Sequence, residues 1–138
     1  METKKIAIID DEPDVVTYLA SALEDNGFAV CSASSATEGF SLICEQCPDL
    51  VCLDILMPEE TGFSLYRKIR ENSALKDTRV VIISGLNIKQ EMPRMLAGGN
   101  GRQALLEPEG YIEKPIDLPL FIETVRRLTA KRNKDERA

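Results

Sequence analysis

Short β-branched runs alternate along this chain with amphipathic stretches, and that alternation constrains the fold most, because it is the pattern of βαβ units on a parallel sheet. The runs are Ile6–Ile9, Phe28–Cys31, Leu50–Leu53, Val80–Ile83 and Tyr111–Glu113. Leu50–Leu53 and Val80–Ile83 are apolar throughout, as expected of central strands buried on both faces. Pro13 suits the first turn of a helix that continues through Val16, Leu19, Ala20 and Leu23 to a stop at Asn26-Gly27. A second helix is predicted from about Ala36 to Glu45, with Phe40, Ile43 and Cys44 on one face, and Pro48-Asp49 turns the chain into the next strand. After a loop from Met57-Pro58 to Thr61-Gly62, a third helix carries Phe63, Leu65, Tyr66 and Ile69. The last, Leu118–Leu128, turns Leu120, Phe121, Val125 and Leu128 inward. Least regular is the stretch after Ser84: a helix near Ile88–Leu96, turns at Gly98-Gly99-Asn100-Gly101, and a short helical stretch near Arg102–Leu106.

The chain has 138 residues, enough for one domain around a single core and cramped for two. Its net charge of -6 argues against direct nucleic-acid binding, which needs clustered Lys and Arg. No apolar run approaches the roughly 18 residues that span a bilayer, and the first is too short for a signal peptide, so no membrane partner and a cytoplasmic location are expected. Four cysteines (Cys31, Cys44, Cys47, Cys52) include one Cys-x-x-Cys pair, but with no histidine and no second pair they do not complete a zinc site. Reduced thiols buried in a helix and neighbouring strands are the expectation.

Asp10-Asp11, Asp54, Ser84 and Lys114-Pro115 each follow one of the strand-like runs. In a parallel sheet all of them emerge at the carboxyl edge, where open α/β folds bind ligands. Three carboxylates held together repel unless a cation compensates. Mg²⁺ suits an all-oxygen donor set that keeps water and phosphate oxygens, whereas the absence of histidine disfavours zinc. Asp54 has the chemistry to attack phosphorus and carry an acyl phosphate. Taken singly, each feature has a plainer reading: Asp10-Asp11 as a helix N-cap, Lys114 as a solvated strand end, Tyr111 as packing. Asp10-x-Glu12-x-Asp14 is not a calcium loop, because Val15 and Ser21 stand where glycine and glutamate are needed. Gly98-Gly99-Asn100-Gly101 follows no strand and lacks the Lys-Ser/Thr of a phosphate-binding loop.

Ile9-Asp10-Asp11-Glu12-Pro13, Asp49 through Pro58 with Gly62, Ile83-Ser84-Gly85 and Tyr111-Ile112-Glu113-Lys114-Pro115, in this order and each after a strand-like run, resemble the receiver domain of two-component response regulators. The resemblance covers nearly the whole chain. It implies a doubly wound, five-stranded parallel α/β sheet, flavodoxin-like, with strand order 2-1-3-4-5. It makes Asp54 the phosphoacceptor and Asp11 a direct Mg²⁺ ligand. Asp10 acts through metal-bound water, and the backbone carbonyl of Leu56 completes the metal ligands. Lys114 pairs with Asp54 at rest and with phosphoryl oxygens afterwards, Ser84 donates its hydroxyl to the phosphoryl group, and Tyr111 is the aromatic switch residue. The implied partners are a histidine kinase or histidine phosphotransfer protein and an unidentified downstream protein target. The implied activity is a phosphorylation-dependent switch that catalyses only its own phosphoryl transfer and dephosphorylation.

Two departures stand out. The passage from Ser84 to Lys114 is several residues longer than in most receivers, with the surplus expected around Gly98–Pro108. Leu56 and Leu86, which flank the phosphoryl group by analogy, are apolar, so slow acyl-phosphate hydrolysis is expected, because they cannot orient a water. Two other function classes remain. An aspartyl-nucleophile phosphatase resembling haloacid dehalogenases needs a second Asp where Leu56 stands. A receiver-fold binding module independent of phosphorylation is suggested by the altered segment before Tyr111, against the intact Asp10, Asp11, Asp54, Ser84 and Lys114. Residues 1–129 are expected to form the receiver and 130–138 a charged tail, either in a stand-alone protein or in a piece of a longer regulator.

Overall fold

The computed structural model describes residues 3–57, 62–85, 88–98 and 103–130. Five strands, β1 (Lys5–Ile9), β2 (Ala29–Ala33), β3 (Leu50–Asp54), β4 (Val80–Ser84) and β5 (Gly110–Glu113), form one parallel sheet in the order β2-β1-β3-β4-β5. Helices α1 (Pro13–Asp25), α2 (Ala36–Gln46), α3 (Gly62–Glu71), α4 (Ile88–Leu96) and α5 (Leu118–Thr129) make the crossovers. The predicted fold class and strand order are those observed.

β3 and β4 are buried at every position because both faces are covered. On one face Ile6, Ile8, Leu50, Cys52, Val81 and Ile83 pack against Leu19 and Leu23 of α1 and Phe121, Val125 and Leu128 of α5. On the other, Ala7, Ile9, Val51, Leu53, Val80 and Ile82 meet α2, α3 and α4 through Ile43, Leu65, Tyr66, Ile69, Ile88, Met92 and Leu96. The alternation of strand side chains between faces produces these two layers.

Local signals set the helix ends. Ser35 caps α2 by accepting from the Glu38 amide at 3.2 Å, while the Glu38 carboxylate reaches back to Ser34. Cys47 closes α2 in the left-handed region at φ 47°, and its amide donates to the Ile43 carbonyl. Asp117 caps α5 by accepting from the Leu120 amide.

Three expectations are corrected. Leu120 is 55% exposed, because the inward stripe of α5 runs through Phe121, Thr124, Val125 and Leu128 and leaves Leu120 on its flank. Only Cys52 is a buried thiol; Cys31 is half-buried, and Cys44 and Cys47 are exposed, since α2 turns Ala36, Gly39 and Ile43 inward. Residues 103–108 are not helical: the Leu105 amide donates to the Leu96 carbonyl, the Leu106 carbonyl is held by the Tyr66 hydroxyl, and Pro108 has no N–H. Pro58, Thr61, Leu86, Gly99, Asn100, Gly101, Arg102 and the tail from 131 onward lie outside the described residues.

Candidate functional site

The parallel register brings Ile9 beside Leu53, Asp54 beside Ile83, and Ser84 beside Glu113, so the residues that follow these strands share the carboxyl edge. Asp10 leaves β1 with its amide bonded to the Ala33 carbonyl, and its Oδ1 accepts from the Glu12 amide at 2.9 Å. Neither Asp10 nor Asp11 caps α1, whose N-cap is Glu12 with no side-chain cap bond. Both carboxylates are therefore left to the site. Asp54 ends β3, and its Oδ1 accepts from the Leu56 amide at 3.0 Å. Asp10 and Asp54 are buried, at 2% and 3% exposure.

Lys114 reaches in from the end of β5, held by its amide bond to the Ser84 carbonyl at 2.9 Å. Its Nζ lies 3.5 Å from Asp54 Oδ2, 3.7 Å from Asp10 Oδ2 and 3.6 Å from Glu12 Oε1. Gly62 lets α3 begin against the end of β3: a Cβ there would stand 2.1 Å from the Asp54 carbonyl oxygen. Ser84 is buried at the end of β4. Tyr111 sits beside Ile82, three residues before Lys114, and is half-buried against the apolar layer of α2, α3 and α4. Leu56 is 53% exposed beside Asp54.

Burial pushes the Asp54 carboxyl above its ordinary value; the Leu56 amide opposes this, and the Asp10 charge adds to it. Asp10 is likewise raised by burial, against the pull of the Glu12 amide and Lys114. For Lys114 burial pulls downward, but the Asp54, Asp10 and Glu12 charges together carry it above the ordinary lysine value.

The donor set fits a hard divalent cation. Carboxylate oxygens of Asp10, Asp11, Glu12 and Asp54 all lie within 4.8 Å of one another. Asp10 Oδ2 is buried with no hydrogen-bond partner, and a single ammonium does not neutralise four carboxylates. Sequence reasoning brought Asp10, Asp11, Asp54 and Lys114 to one place and missed Glu12. Its acidity directly after the Asp pair was the available signal, but its contact with Lys114 depends on the return of β5.

The sequence profile described as the response regulator receiver domain matches residues 6–126. The polar-differentiation response regulator DivK of Brucella ovis is 28% identical over 124 residues, covering 90% of this chain and 94% of DivK. Among solved structures, the chemotaxis response regulator CheY4 of Vibrio cholerae superposes with a TM-score of 0.76 at 20% identity, covering 92% of this chain and 99% of CheY4. A sensor protein from a Polaromonas species gives 0.78 at 26% identity, covering 99% of this chain and 100% of that one. With a family match across nearly its whole length, the expected strand order and an acidic cluster that fits aspartate phosphorylation with Mg²⁺, the chain belongs to the receiver-domain family of response regulators.

Proposed function

We propose that this chain is a phosphorylation-dependent switch of a two-component system, with Asp54 as phosphoacceptor. The observation that carries the proposal is a buried Asp54 carboxylate held by the Leu56 amide on one oxygen and facing Lys114 at 3.5 Å on the other, beside a buried Asp10 oxygen without a hydrogen-bond partner. A histidine kinase or histidine phosphotransfer protein is the donor. An Asp54 oxygen attacks phosphorus, the phosphorus–nitrogen bond of the donor breaks, and the imidazole leaves with that electron pair and takes up a proton.

Asp10, Asp11, Asp54 and the Leu56 backbone carbonyl would hold Mg²⁺, with Asp10 acting through water and Glu12 lying in reach. Bound there, Mg²⁺ supplies positive charge to the phosphoryl oxygens. Lys114 turns from Asp54 to those oxygens, and Ser84 donates its hydroxyl to them. Tyr111 follows as the residue through which a local charge change reaches the surface and a downstream protein. The chain acts on no substrate beyond its own acyl phosphate. In this reading residues 1–129 form the receiver, 130–138 are a charged tail, and the compartment is the cytoplasm.

Acetyl phosphate with Mg²⁺ tests the reading. One phosphoryl group should add to the intact mass, acid-stable and base-labile, and Asp54→Asn should take up none. Failure of the wild-type chain to label would leave the phosphorylation-independent binding module. The exposed Leu56 beside Asp54 cannot orient an attacking water, so the acyl phosphate should persist for minutes or longer in purified protein. A half-life of seconds would contradict this.

A further inference from the structure

Arg70 is a buried cation that the phosphoryl chemistry does not use, with its side chain 3% exposed at the amino edge of the sheet. Its Nε donates to the Tyr66 hydroxyl at 3.0 Å, its Nη1 to the carbonyls of Lys76 at 3.1 Å and Thr78 at 2.5 Å, and its Nη2 to Glu109 Oε1 at 2.9 Å. The guanidinium also lies 4.9 Å over the Tyr66 ring. The Tyr66 hydroxyl donates onward to the Leu106 carbonyl. Glu109 Oε1 accepts a second bond, from the Val80 amide at 2.6 Å, and the Glu109 amide donates to the Val80 carbonyl at 2.9 Å. The strap from Leu105 to Glu109, in the unusually long passage before β5, is thereby fastened to α3 and to the start of β4.

The neighbouring helix is built differently. Pro93 stands inside α4, and because it has no N–H it offers no donor to the Lys89 carbonyl one turn earlier. The part of α4 before Pro93 is thus the weaker member of the pair. Strain entering from the carboxyl edge is taken up where the backbone is least constrained, and a single residue, Gly110, separates the fastened Glu109 from Tyr111.

We propose that Arg70 is a positioning residue for the output of this switch. By clamping Leu106 and Glu109 it makes the strap a fixed anchor, so that the rearrangement started at Asp54 is confined to α4 before Pro93 and to Tyr111. This rests on the function proposed above and adds where the response stops.

Amide hydrogen exchange of the full chain tests it, with and without beryllium fluoride and Mg²⁺ as a phosphoryl mimic, for the wild type, Arg70→Met and Glu109→Gln. In the wild type, loading should change exchange across 88–93 and 110–113 by about fivefold or more and across 103–109 by less than about twofold. In both variants the loading response should spread into 103–109 and shrink at 110–113. Should Arg70→Met fail to fold, Glu109→Gln decides, because glutamine still accepts from the Val80 amide while losing the charge opposite Arg70. A strap that responds as strongly as α4 in the wild type overturns the proposal. So does a variant whose strap exchanges faster by the same factor in both states while 110–113 responds normally, since that is the mark of a purely structural clamp. A wild type that neither loads beryllium fluoride nor takes a phosphoryl group from acetyl phosphate overturns the proposed function and this inference with it; one that labels with acetyl phosphate but does not load beryllium fluoride is compared in its phosphorylated form, with the same two outcomes.

Discussion

The two edges of the sheet treat buried charge in opposite ways. At the carboxyl edge Asp10, Asp11, Glu12 and Asp54 crowd together, three of them against one ammonium, and an Asp10 oxygen is buried without a hydrogen bond. At the amino edge a single guanidinium meets four oxygen acceptors, one of them the charged Glu109. A polar cluster with every partner in place stabilises and rigidifies; one that lacks partners costs stability and is relieved when a ligand arrives. The contrast separates binding from support: the first edge is poised to take up positive charge, and the second holds the chain while it does so.

The largest expected effect breaks the first edge outright. Asp54→Asn should abolish phosphoryl uptake, read by intact mass, while leaving the fold intact by circular dichroism. The second edge should fail next: Arg70→Met leaves Glu109 unpaired and the Lys76 and Thr78 carbonyls without this donor, and should cost about 3–5 kcal/mol in urea unfolding. A loss below about 1 kcal/mol would show that the clamp is ordinary surface structure. Gly62→Ala tests the scaffold at the first edge. Its Cβ would collide with the Asp54 carbonyl, so α3 must shift, at a cost of about 2–3 kcal/mol together with slower phosphoryl uptake.

The smallest effect has the opposite sign. Without divalent cations, Asp10→Asn should raise stability by about 1–2 kcal/mol at pH 7, because it removes a buried charge that the fold does not fully pair. The folded-state pKa of Asp10 lies above its ordinary 3.8, so the folded chain binds that proton more tightly than the unfolded one. The variant's advantage is therefore full above the raised folded value, shrinks as pH falls through it, and is gone below the unfolded value. A melting-temperature difference independent of pH would dissociate the gain from the buried charge.

Much of the first edge was legible because its information is local. Each of Asp10, Asp54, Ser84 and Lys114 lies at or directly after its own strand, and a parallel sheet aligns strand ends whatever the details of packing. Leu120 was misplaced because a residue on the flank of a helical stripe differs from one inside it by a single step of rotation. The second edge was illegible. Arg70 in α3 reads as an ordinary exposed cation until the strap returns with Glu109, and its other acceptors are backbone carbonyls that leave no trace in residue type. The same holds for 103–108, where Leu105 and Leu106 suggested a helix and long-range hydrogen bonds decided otherwise.

The position of α5 has a consequence for how the molecule is made. The first strand lies in the interior of the sheet, between β2 and β3, and the face it shares with β3 is covered jointly by Leu19 and Leu23 of α1 and by Phe121, Val125 and Leu128 of α5, the last helix described. During synthesis α1 can cover its part of that face early, while the part under α5 waits until the five strands have emerged. The carboxylates of Asp10, Asp11, Glu12 and Asp54 can gather early, but Lys114 and α5 follow all five strands. The carboxylate cluster should therefore gain its ammonium partner, and the sheet its α5 cover, in one late step of folding.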